Sequence, residues 1–260
     1  MKIIHTSDWH IGQKLIGKDR EQEHQLFFDW LIEYMCHENI ELLIVSGDIF
    51  DTGHPSNAAL RLYYRTLYRI SNTTPCKNIV ITGGNHDSIL TLNAPREILQ
   101  HLNVFVVGGA SQNIEDEIIE IKQPNGEIAC IVGAVPFLRD KDIRQAKAGE
   151  SYNERINAIR QGILSHYRAV AEKIKSYKEK NIPVIATGHL FMSGISPSGS
   201  EREIHIGNLG QVEAQHFPTE IDYYALGHIH RPLVVKGNTQ IRYSGSPLPL
   251  SFSERKEQKR

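Results

Sequence analysis

A chain of 260 residues, 40% hydrophobic and 23% charged, can bury a substantial core and has no tract polar enough to stay disordered. Its formal net charge of −1 excludes a protein drawn to nucleic acid by bulk basicity, so any contact with a polyanion has to come from a local patch. Cys36, Cys76 and Cys130 are odd in number and lack the paired spacing of a zinc site, which suits buried free thiols in a reducing compartment.

The N-terminus MKIIHTSDWH has one Lys and a short apolar run broken by His and Asp, unlike a signal peptide. No apolar stretch approaches membrane-spanning length, so the expected location is cytoplasmic and no membrane partner is expected. Short apolar runs read as buried strands at Ile3 to Ile4, Leu42 to Val45, Ile79 to Ile81, Val104 to Val107, Ile131 to Val135, Val184 to Ala186 and Tyr223 to Leu226. Helices are expected at Arg20 to Glu38, Asn57 to Ser71 and Asn153 to Lys180. The last carries Ile156, Ile159, Ile163, Tyr167, Val170 and Ile174 at helical spacing. Ile114 to Val135 alternates around Pro124-Asn125-Gly126, a hairpin signal that makes part of the sheet system antiparallel. The pattern is α/β with mixed strand direction. Residues 193 to 218, with Ser-Pro-Ser-Gly-Ser and few apolar anchors, read as a surface excursion placed to line a substrate groove.

Five blocks each follow a predicted strand: Asp8-Trp9-His10, Gly47-Asp48-Ile49-Phe50-Asp51, Gly84-Asn85-His86-Asp87, Gly188-His189 and Gly227-His228-Ile229-His230. The C-terminal ends of strands in an open α/β sheet converge on the ligand crevice. A mixed set of carboxylate, imidazole and amide donors suits Mn²⁺, Fe or Zn²⁺ better than an all-oxygen calcium cage. The glycines before Asp48, Asn85, His189 and His228 let the chain turn sharply and leave room beside an ion. A single His after an apolar strand is ordinarily a structural, hydrogen-bonded residue. Asp-x-His, GDxxD, GNHD, GH and GHxH in this order are another matter.

That order resembles the calcineurin-like metallophosphoesterase superfamily, from Met1 to about Pro249. The resemblance implies a sandwich of two mixed β-sheets flanked by helices, with residues 1–260 forming one phosphoesterase domain. It implies that Asp8, His10 and His230 hold one divalent metal ion, Asn85, His189 and His228 a second, and Asp48 bridges them. Two ions roughly 3.5 to 4 Å apart would bind a phosphodiester, activate water and stabilise both reacting oxygens. Mn²⁺ is the expected ion, with Mg²⁺, Fe or Zn²⁺ as alternatives. Water as nucleophile leaves no covalent role for Ser7, Ser46 or Cys76. His86 lies outside the ligand set and is the candidate general acid. Asp51 is its expected orienter, with Asp87 as the alternative.

HTSDWHIGQ, GDIFDTG, GNHDS, ALGHIHRP and YSGSPLPLSFSE further resemble the SbcD family of bacterial nucleases, which process DNA ends together with the SMC-like ATPase SbcC. The resemblance implies exonuclease action on duplex ends and endonuclease action on single strands or hairpins, in DNA repair, recombination and replication. It also implies a homodimer through N-terminal-half helices. A small-substrate phosphodiesterase or phosphatase and an inactive binding scaffold are the competing readings. Archaeal and eukaryotic relatives often have His in place of Asp51, which sides this chain with the bacterial form. Gln13, Lys14, Arg20, His54 and Arg61 flank the ligand blocks and are candidate phosphate contacts. Family members continue into a DNA-facing cap and an ATPase-binding segment. Neither is recognised in this sequence, whose charged ending SerGluArgLysGluGlnLysArg is expected to mark a truncation.

Overall fold

Runs such as Leu42 to Val45 and Ile79 to Ile81 are apolar on both sides, so their strands need cover on both faces. The computed structural model describes residues 1–195, 199–202, 204 and 211–259 and supplies that cover. In chain order the elements begin with β1 (Ile3–Thr6), β2 (Lys14–Leu15), β3 (Lys18–Asp19), α1 (Glu21–Glu38), β4 (Leu42–Ser46), α2 (Asn57–Thr73) and β5 (Asn78–Thr82). There follow α3 (Ile89–Asn93), α4 (Arg96–Gln100), β6 (Val104–Val107), β7 (Ile118–Lys122), β8 (Ile128–Gly133), α5 (Asp140–Ile143) and α6 (Tyr152–Glu179). The series ends with β9 (Val184–His189), β10 (Tyr223–Gly227), β11 (Leu233–Val234) and β12 (Ile241–Tyr243).

Two sheets face each other. The first runs β1-β4-β5-β6 and the second β11-β12-β10-β9-β8-β7, while β2 and β3 pair separately. The expected sandwich is present, and its mixed direction resides in the second sheet alone: β7 and β11 run antiparallel to their neighbours. The first sheet is wholly parallel, since helical crossovers join its strands and no hairpin enters it. The hairpin read around Asn125-Gly126 is β7 to β8, with Ile118 opposite Gly133 and Gly126 at φ +86°.

Period-two alternation sorts the side chains into three apolar layers. Leu43, Val45, Ile79 and Ile81 pack with Phe28, Leu31, Leu62 and Leu67 of α1 and α2. Leu42, Ile44 and Val80 join Cys130, Val132, Ile185 and Ala225 between the sheets. On the far side, Ile131, Val184, Ala186, Tyr224 and Leu226 meet Ile159, Ile163, Tyr167, Val170 and Ile174 of α6. Each such aliphatic side chain contributes about 1.5–3 kcal/mol by leaving water. Ser151 caps α6, its hydroxyl accepting from the Glu154 N–H while the Glu154 carboxylate accepts from the Ser151 N–H.

Cys76 and Cys130 are buried, and burial pushes their thiols up to about 11 and about 12. Cys36 departs from the expectation: it is exposed, with Sγ donating to the Thr73 carbonyl. Among the described residues no helix is long and apolar enough to cross a membrane.

Parallel pairing brings the C-terminal ends of β1, β4 and β5 level, with Thr6 opposite Val45 and Ser46 opposite Thr82. In the second sheet Gly227 lies opposite His189. The two edges meet: Ser46 Oγ donates to the Ala225 carbonyl at 2.8 Å. Five turns therefore open onto one crevice.

Candidate metal centre

The turns leave their strands on unusual backbone. Asp8, His10, Asp48 and His228 have φ of 54°, 45°, 51° and 96°, a left-handed region that costs a non-glycine residue on the order of 1–3 kcal/mol. Backbone bonds hold them there. The Asp8 and His10 amides donate to the carbonyls of Gly47 and Asp48, each at 3.0 Å. A Cβ at Gly84 would lie 2.1 Å from Asp48 Oδ1, and one at Gly227 2.0 Å from the Ser46 carbonyl, so both positions need glycine.

Asp48 sits at the centre, 1% exposed. Its Oδ2 is 3.5 Å from His10 Nε2 and 3.3 Å from His189 Nε2, while Oδ1 accepts the His86 amide at 2.9 Å. Asn85 Oδ1 is 3.0 Å from His189 Nε2. Asp8, wholly buried, receives the His228 amide on both carboxylate oxygens. The His10 and His230 rings meet edge to face with centroids 5.2 Å apart, and those of His189 and His228 are 5.4 Å apart. Among the described residues, Asp8, His10 and His230 form one group able to hold a metal ion, and Asp8, Asp48 and His189 another. A third, His10, Asp48 and His86, brings His86 within reach of the same space.

The second nitrogens fix the ring orientations. His189 Nδ1 donates to the Ser46 carbonyl at 3.0 Å, and His10 Nδ1 to the Asp51 carboxylate at 3.2 Å, so both turn Nε2 inward. His10 Nε2 is buried without a hydrogen-bond partner. Such an orphaned acceptor beside two buried carboxylates is what a divalent cation would satisfy, and the donor set fits one. Burial works against a charged His189, yet the Asp48 carboxylate prevails and raises it to about 9. Burial likewise opposes ionisation of Asp48, but His189, His10 and His86 hold it well below the usual carboxylate range.

Over residues 1–232 the sequence matches the family described as calcineurin-like phosphoesterase. The chain belongs to that family. It is 41% identical over 255 residues to the SbcD subunit of the nuclease SbcCD of Escherichia coli (strain K12), covering 98% of this chain and 62% of that protein. The protein of the same name from Rhodobacter capsulatus is 38% identical and that from Bacillus subtilis 32%, with 98% of this chain and 64% and 63% of those proteins covered. The chain thus spans a little under two thirds of the length of these relatives.

Within this phosphoesterase the expected orientation of His86 takes a different form. The Asp51 carboxylate bonds His10, and His86 Nδ1 donates instead to the Asp51 backbone carbonyl at 2.7 Å. The carboxylate cannot serve both rings, and it lies on the His10 side. The alternative, Asp87, is committed elsewhere: it accepts the amides of Ile49, Phe50 and Gly84 at 2.8–3.1 Å. Burial, with Asp48 nearby, pushes Asp87 up to about 6. Burial lowers His86, against the pull of Asp48.

The candidate phosphate contacts divide. Lys14, His54 and Arg61 are exposed. Arg20 is 7% exposed, its guanidinium bonded to Gln13 Oε1, the Pro249 carbonyl and Glu23, so it clamps the chain and does not face a strand of nucleic acid. Gln13 is likewise occupied, its amide donating to the Leu250 carbonyl.

Sequence reasoning missed Ser200 and Glu254. His230 Nδ1 lies 2.7 Å from Ser200 Oγ, which donates to Glu254 Oε1. Burial opposes ionisation of Glu254, yet bonds to His230, Lys259 and Ser200 bring it down to about 2. The only signal was the acid ending the SFSE run, 24 residues past His230. The expected excursion at 193 to 218 falls partly outside the described residues. Its described part reaches the site through Ser200 and Glu201, whose carboxylate accepts the His230 amide at 3.0 Å.

Proposed function

We propose that the chain is a metal-dependent DNA nuclease, acting as an exonuclease on duplex ends and an endonuclease on single strands or hairpins. The observation that carries this reading is the convergence of His10 Nε2 and His189 Nε2 on one oxygen of the buried Asp48. The relatives that form part of the nuclease SbcCD supply the DNA substrate. In this reading Asp8, His10 and His230 hold one ion, Asn85, His189 and His228 the other, and Asp48 both. Mn²⁺ is the working ion. Bound there, the ions supply Lewis acidity toward the phosphodiester and lower the pKa of water into the neutral range.

The chain's own residues do the rest. The Asp51 carbonyl keeps the Nδ1 proton of His86, so its Nε2, 3.9 Å from Asp48 Oδ2, faces the reacting phosphate. Protonated there, His86 donates to the leaving oxygen. Lys14, His54 and Arg61 contact phosphates along the strand without reading sequence. The exposed Leu26, Trp30, Tyr34 and Tyr68 on α1 and α2 give the surface for a homodimer. Residues 1–260 act as one phosphoesterase domain in the cytoplasm, working with the SMC-like ATPase SbcC.

The test is cleavage of duplex and hairpin DNA in Mn²⁺, against cyclic nucleotides under the same conditions. DNA is expected to be the better substrate. His86→Ala is expected to lose about 10²–10⁴-fold in rate while still binding metal. Preference for the cyclic nucleotide, or full activity in that variant, contradicts the reading.

A further inference from the structure

His230 is steadied from a distance. Its Nδ1 meets Ser200 Oγ at 2.7 Å and lies 3.6 Å from Glu254 Oε1, to which Ser200 donates. Glu254 is wholly buried, a rare place for a carboxylate unless it is paired. Its other oxygen accepts from the Leu250 amide at 3.2 Å and from Lys259, which turns Oε1 toward Ser200.

The direction of the chain of bonds follows from what each group can do. An ionised carboxylate only accepts, so the Ser200 hydroxyl spends its single proton on Glu254. The hydroxyl oxygen then has only lone pairs for the ring, and His230 must place its proton on Nδ1. That leaves Nε2 bare, as a metal ligand requires. Without the carboxylate, the hydroxyl is free to donate to Nδ1, which moves the imidazole proton to Nε2 and blocks the ligand atom. His10 reaches the same state by a shorter route, through Asp51 alone.

We propose that Glu254 is a positioning residue of the metal centre, acting through Ser200 to hold His230 in the tautomer whose Nε2 can bind a divalent cation. The inference rests on the two-ion reading above and goes beyond it, because it ties one ligand to two segments remote from it in sequence. Glu254 lies in the 3-10 turn Phe252–Lys256. Ser200 belongs to the excursion between β9 and β10.

The experiment is Mn²⁺ titration of the 260-residue chain by calorimetry, paired with ¹⁵N-detected imidazole spectra of the metal-free protein. E254Q keeps the shape and removes the charge; S200A removes the link. Each is expected to weaken one of two Mn²⁺ ions by about 10–100-fold and leave the other unchanged. The double variant is expected to be no weaker than either single one, as for members of one chain of bonds. The wild-type His230 resonance should report the Nδ1–H tautomer, and E254Q should shift it toward Nε2–H. If E254Q fails to fold, S200A at a half-buried hydroxyl decides alone. Wild-type protein binding two ions while S200A binds both equally well overturns the relay and spares the two-ion reading. Wild-type protein that binds no Mn²⁺ overturns both.

Discussion

Donors from the parallel first sheet and donors from the mixed second sheet are held by different means. Asp8, His10 and Asp48 stand on left-handed backbone within a few residues of β1 and β4, and main-chain bonds between those two turns fix them. His189 is still the last residue of its strand and takes its orientation from Ser46 across the crevice. His230 takes its orientation from Ser200 and Glu254. The first half of the site is built by local backbone, the second by hydrogen bonds from other segments. Changes in the first half should therefore damage fold and chemistry together, and changes in the second should separate them.

The largest effect is expected at the point the halves share. Asp48→Ala removes the oxygen on which His10 and His189 converge and the acceptor of the His86 amide. Cleavage is expected to fall by at least about 10³-fold with loss of both ions, measured by steady-state rate and metal content. A variant that keeps two ions would remove Asp48 from the bridge.

Gly84→Ala comes next and tests the first half directly, since its Cβ would meet Asp48 Oδ1 at 2.1 Å and its amide nitrogen at 2.3 Å. Overpacking of this kind costs about 1–3 kcal/mol, roughly 3–10 °C in Tm for a chain of this size. Metal affinity is expected to fall with it. A calorimetric melt unchanged from wild type would show that the turn yields without strain.

Asp51→Asn removes the charge behind His10 and keeps the volume. The expected result is a loss of about 10–100-fold in Mn²⁺ affinity with little change in melting temperature, read by titration and by thermal scan. A large fall in stability would mean that Asp51 holds the fold and not the ligand.

The smallest effect concerns protons. Burial alone would lower His189, but Asp48 raises it to about 9, so the metal-free protein carries a proton there at pH 7 that an ion must displace. Mn²⁺ binding at pH 7 should release about one proton, and affinity should rise as pH rises toward 9. Calorimetry in buffers of different ionisation enthalpy measures this directly. A binding enthalpy independent of buffer contradicts it.

The parts of the centre that short-range patterns encode were legible in advance. Glycine followed by a polar donor after an apolar run located Asp48, Asn85, His189 and His228, because a sharp turn at a strand end needs those residues at that spacing. The hairpin at Asn125-Gly126 and the register of α6 followed from periodicities of two and 3.6. Short elements were not legible: β11 and β12 have two and three residues, too few for a period to appear. Nor were contacts made by the far ends of side chains. Arg20 looked like a cation beside a ligand block and is a buried clamp on Pro249. The Asp51 carboxylate and carbonyl face different histidines, a division that depends on backbone torsions no motif records. Glu254 reaches His230 only because two distant segments fold over the same crevice.

Anomalous diffraction from crystals soaked in Mn²⁺, recorded at the manganese edge, tests the account most directly. Two peaks are expected: one coordinated by Asp8, His10 and His230, one by Asn85, His189 and His228, with Asp48 touching both and His86 touching neither. A single peak, or one coordinated by His86, would contradict it.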